Sequence, residues 1–72
     1  MRITPLSANE VCRKLSKLGF VKIRQKGSHT FWRHTDGRCV VIPVHKGEDI
    51  GRGLIRSILN SIEVPWEKFK TL

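Results

Sequence analysis

Acidic side chains are scarce: Asp and Glu number 6 against 14 Lys and Arg, a formal net charge of +8 over 72 residues. The excess runs through much of the chain instead of collecting in a tail, which excludes an anionic surface and points to a polyanionic partner. Long apolar runs are also missing. The longest, Val40 to Val44, is far below the roughly 20 residues that span a bilayer, so a membrane partner is set aside. No secretory start is visible, and the chain reads as cytoplasmic. The two cysteines, Cys12 and Cys39, form no CxxC pair and read as reduced thiols. Neither they nor His29, His34 and His45 have the spacing of a zinc motif, so no metal and no cofactor is expected. Repeats, linkers and low-complexity segments are absent as well, and a chain this short fits one domain, residues 1–72, around one core.

What is present reads as a run of short elements. Ser7-Ala8-Asn9-Glu10 has the form of a capping box, so a helix starts near Ala8. Val11, Leu15 and Leu18 follow at helical spacing with Arg13, Lys14 and Lys17 on the other faces, and Gly19 supplies a left-handed stop. From Phe20 to Lys26 the period changes to two. Val21 and Ile23 then share one face and Lys22, Arg24 and Lys26 the other, as in a half-buried strand with a cationic outer side. Gly27-Ser28 breaks that strand, and Thr30 to His34 resumes β composition before the Asp36-Gly37 turn signal. Cys39 to Val44 forms a third strand that ends around Pro43. His45 to Gly53 reads as irregular, Leu54, Ile55, Ile58, Leu59 and Ile62 mark a second helix, and Pro65 opens a short terminal helix in which Trp66 and Phe69 cap the core. The sum is an α+β fold, α-β-β-β-α, with a three-stranded antiparallel sheet and both helices on one face: the topology of double-stranded-RNA-binding domains.

Gly27-Ser28-His29 is the most informative tripeptide. A glycine at a strand break re-aims the side chains that follow, and here it presents an imidazole beside cations. RNA carries its own nucleophile, the 2′-hydroxyl, and needs only a base to take its proton; histidine suits that role near neutral pH. Arg24, Lys26 and Arg33 lie close in sequence. Their positive charge can stabilise charge developing on phosphate oxygens, with Ser28 beside them as a further RNA contact. The structural alternative is a surface histidine in a turn. His34, next to the Asp-Gly turn, reads as a hydrogen-bonding structural residue, and His45 as a loop residue or as a proton donor to the leaving 5′-oxygen. Phe31 and Trp32 are adjacent, so one packs inward and the other is free to stack on a base. If Arg33 is exposed, parity puts Phe31 outward with His29, whereas a bulge would put Trp32 there. Gly51-Arg52-Gly53 could offer amides and a guanidinium to phosphate, or simply a flexible start to the helix. Neither helix is free to act as a DNA recognition helix, because both are committed to covering the sheet.

RQKGSHTFWRH at 24–34, DGR at 36–38, IPVHKGEDIGRG at 42–53 and LIRSIL at 54–59 together resemble the HicA toxin family of bacterial toxin–antitoxin systems. The similarity runs over essentially the whole chain. It implies a ribosome-independent mRNA interferase with a double-stranded-RNA-binding-like fold, His29 as its catalytic residue, and inhibition by a HicB-type antitoxin. His45 matches the family's PVH histidine, for which the resemblance implies a structural or assisting role. Trp32 beside Phe31 is a minor departure that bears only on RNA contacts. Two readings of another class stay open: a noncatalytic RNA-binding module, and a protein-interaction module that docks an acidic partner. The toxin by itself is expected to be a monomer.

Overall fold

A computed structural model describes residues 2–72. The Ser7 hydroxyl accepts the Glu10 amide at 3.1 Å and opens helix α1, Ala8–Lys17. Only half of the capping box forms. The Glu10 carboxylate turns forward to Arg13 at 3.0 Å instead of back to Ser7, while Ser7 itself pairs with Asp49. That pairing joins β1, Leu6–Ser7, to β5, Asp49–Ile50, a two-residue ladder inside the segment expected to be irregular. Helix α1 ends as its sequence predicts: Gly19 takes a φ of 95°, and the Phe20 and Gly19 amides bond back to Leu15 and Ser16 in a Schellman arrangement. A side chain at residue 19 would also meet the His34 ring, since a Cβ there lies 3.0 Å from Nε2.

The three-stranded sheet runs in the order β2, Val21–Lys26; β3, His29–Arg33; β4, Cys39–Pro43, all antiparallel. Thr30, Trp32, Val40 and Ile42 are buried on one face. They join Val11 and Leu15 of α1, Ile55, Ile58, Leu59 and Ile62 of α2, Arg52–Ile62, and Trp66 and Phe69 of α3, Trp66–Phe69, in a single core. Each fully buried aliphatic side chain contributes about 1.5–3 kcal/mol relative to exposure, which is what holds a sheet this small against its helices. The order α-β-β-β-α, with the helices on one face, is the one expected and is consistent with a double-stranded-RNA-binding-domain-like fold. Pro65 stands one residue ahead of α3, at its N-cap.

Two expectations about facing are corrected. Strand β2 is not half-buried: all six of its residues are exposed, with Val21 and Ile23 more than half so. A bulge between Lys22 and Arg24 leaves Ile23 without a partner, so the simple alternation breaks there. Val21 now shares the outer face with Arg24 and Lys26, while Lys22 stands opposite Trp32 and reaches Gln25 at 3.3 Å on the other side. The second correction is Lys14, expected on the basic outer surface and in fact buried. The C-terminal turn folds back over α1, so the Lys14 ammonium donates to the Lys70 and Leu72 carbonyl oxygens at 3.2 and 3.0 Å and lies over the Phe69 ring.

Candidate nucleic-acid interface

Strand β3 decides which way His29 points. The Trp32 indole donates to the Thr30 hydroxyl at 2.9 Å, and that hydroxyl donates to the Ile42 carbonyl at 2.7 Å. Both side chains are buried among apolar neighbours, where an unpaired indole N–H or hydroxyl would cost about 1–3 kcal/mol. Strand alternation then sends His29, Phe31 and Arg33 to the opposite, open face. The parity argument for Phe31 outward and Trp32 inward therefore holds, and the bulge that threatened it lies in β2 instead.

Cross-strand register arranges the open face in three rows. Lys26, His29 and Pro43 form the first; Arg24, Phe31 and Val41 the second; Val21, Arg33 and Cys39 the third. Directly opposed side chains in such pairs lie on the same face with Cβ atoms about 4.5–5.5 Å apart. The four charged and catalytic candidates from the sequence, Arg24, Lys26, His29 and Arg33, thus share one surface, and all four are exposed. The Arg24 guanidinium sits over the Phe31 ring at 4.5 Å from its centroid.

Between Lys26 and His29 the chain turns in two residues. Gly27 has a φ of 59° and Ser28 does not share the positive sign, the pattern of a type II′ hairpin turn. No atom lies near a Cβ placed on Gly27, so glycine is needed there for its backbone conformation and not for space. Ser28 is half-buried, and its carbonyl accepts the Val44 amide at 2.7 Å, extending the β3–β4 ladder one step past Pro43. His45 follows, exposed, at the start of a turn closed by the Glu48 amide on its carbonyl. With Glu48 and Asp49 it borders a cavity of about 260 Å³ that Pro43 also lines.

His34 is structural, as expected. Its ring packs edge-on to Phe20 at 5.1 Å, and Nδ1 accepts the Asp36 amide at 3.1 Å. Arg38 closes the same turn. Its guanidinium bonds the Asp36 carboxylate, which holds that carboxyl below its ordinary range, donates to the Ile62 carbonyl and lies over Phe20. Both thiols are free; burial pushes the Cys12 thiol up, with the Lys22 charge partly opposing it. Arg52 is exposed in the first turn of α2, whose Gly51 N-cap makes no side-chain cap bond. No three His, Cys, Asp or Glu side chains gather into a metal-sized cluster among the described residues.

The sheet, both main helices and every residue of the three rows fall within residues 8–64, the span matched by the family model described as the HicA toxin of bacterial toxin–antitoxin systems. The chain belongs to the HicA toxin family. Membership places it among toxins that act with an antitoxin partner. No curated protein matches this HicA-family chain. No helix among its described residues is long and apolar enough to cross a membrane.

What sequence reasoning missed in this HicA-family chain is apolar. Ile23, Val41 and Leu54 are all substantially exposed, and with Arg24 and Phe31 they line an open groove of about 600 Å³ that runs from the outer sheet face past the edge strand β4 to α2. Val41 was legible, because it alternates with Val40 and Ile42 on an edge strand. Ile23 was not, because its alternation with Val21 reads as the inward face of a half-buried strand, whereas no residue of β2 is buried.

Proposed function

We propose that this HicA-family toxin is a ribosome-independent endoribonuclease, an mRNA interferase in which His29 is the general base. The open face supplies what the reaction needs. His29 takes the proton of a ribose 2′-hydroxyl, the 2′-oxygen attacks the adjacent phosphorus, and the bond to the 5′-oxygen breaks. A 2′,3′-cyclic phosphate remains on one fragment, and the departing 5′-oxygen takes up a proton; His45, exposed just past Pro43, is a candidate source. Arg24, Lys26 and Arg33 hold the RNA backbone and offset charge on the phosphate oxygens, with Ser28 contributing from the turn. The chemistry uses no metal or cofactor. The toxin works on cytoplasmic mRNA as a monomer and is silenced by a HicB-type antitoxin.

The observation that carries this reading is the exposed imidazole of His29 in one row with Lys26, on the same face as Arg24 and Arg33. His29→Ala should retain the fold and RNA affinity while cleavage of a labelled transcript falls about 10²- to 10⁴-fold, the usual contribution of a general base. Growth arrest on induction should disappear with it. Normal cutting by the folded variant would remove His29 from the mechanism. RNA that is bound by the wild-type protein but left whole would favour the noncatalytic RNA-binding module.

A further inference from the structure

We propose that the groove running from the outer sheet face past β4 to α2 is a nucleobase pocket that stacks an unpaired base of the bound RNA against Phe31; this rests on the reading of the open face as an RNA surface. Four observations converge on it. Ile23, Val41 and Leu54 are 57%, 42% and 41% exposed, a cluster of apolar side chains on a chain that otherwise presents cations, and such a patch marks a place that something covers. Phe31 stands among them, half-buried, with the Arg24 guanidinium already against its ring at 4.5 Å. An aromatic face and a guanidinium plane are the two surfaces on which proteins stack bases of single-stranded RNA.

Position is the third observation. Phe31 lies two residues along β3 from His29 on the same face, about 6.6 Å of strand. A phosphodiester at the His29 row would bring the base of a neighbouring nucleotide to the Phe31 row. The fourth is size and polarity. At about 600 Å³ the groove falls within the range of small-molecule clefts, and Ser57 of α2 gives its far wall a hydroxyl that can meet a base edge. Cations in the rows before and after Phe31 suit a ligand that alternates charged and flat groups, as a polynucleotide does. A base within a duplex has both faces covered by its neighbours, so the pocket takes single-stranded RNA.

The test uses the His29→Ala protein, in which cutting is expected to be slowed about 10²- to 10⁴-fold, with a fluorescein-labelled single-stranded octaribonucleotide and a counterpart of the same length whose riboses are all abasic. Phe31→Ala should weaken binding of the intact oligomer about 10-fold, the scale of one base stack. The abasic oligomer should bind more weakly by at least as much and be indifferent to Phe31→Ala. Leu54→Ala, a change on the exposed side of α2, should lower affinity for the intact oligomer in the same selective way, which covers the case in which Phe31→Ala fails to fold. Equal binding of both oligomers, or equal losses on both, would show contact through phosphates alone and overturn the pocket. So would unchanged RNA affinity in variants that no longer retain a co-expressed antitoxin, which would make the groove a protein-docking surface. Selective loss in a wild-type protein that binds but never cuts RNA would sustain the pocket and defeat the nuclease. Absence of any RNA binding would defeat both.

Discussion

Strands β2 and β3 are joined by a two-residue turn and pair along their length, yet one obeys its alternation and the other does not. In β3 every second residue is buried, and the pattern is held by Trp32 and Thr30 hydrogen-bonding behind the sheet. In β2 no residue is buried, the strand lies at the sheet's edge, and one residue bulges out. Alternation is enforced only where one face has a core to enter. Where neither face does, nothing penalises a slip, and the sequence pattern stops specifying direction.

The sharpest way to break this contrast is Trp32→Ala. It removes a buried indole and leaves the Thr30 hydroxyl short of a partner, so chemical denaturation should show a loss of about 3–5 kcal/mol. Gly27→Ala addresses the junction between the strands. Forcing a Cβ into a φ of 59° should cost about 1–2 kcal/mol in the same measurement, with the remaining structure unchanged by circular dichroism. Ile23→Thr should be the mildest, within about 0.5 kcal/mol of wild type, because more than half of the side chain is already exposed. A loss at Ile23 approaching that at Trp32 would mean that β2 is anchored after all, and the contrast between the strands would collapse.

The elements that could be read from sequence are those in which local chemistry and the core agree. Gly19 ends α1 and Asp36-Gly37 turns the chain, because a left-handed residue and a hairpin turn are specified by the residues themselves. Phe31 outward followed from the parity of one strand, and so did the grouping of His29 with Arg33. The grouping of Arg24 and Lys26 on that face was also foreseen, but with Lys22 added and Val21 excluded, since a bulge has no signature in an edge strand of mixed polarity. Lys14 was misplaced for a different reason: its partners are main-chain oxygens more than fifty residues away, and no pattern within α1 could announce them. The β1–β5 pairing was hidden because two residues are too few to show a period. At the site, the residue types suggested the chemistry, whereas the apolar groove beside them emerged only from the fold.

The hydroxyl of Thr30, shared between an indole and a carbonyl, orients a strand whose working side it never touches. Folding duties and surface duties are thereby divided between two sides of one ribbon. The outward positions of such a domain are left free to change identity, so one scaffold can carry many different exterior inscriptions while its interior grammar stays fixed.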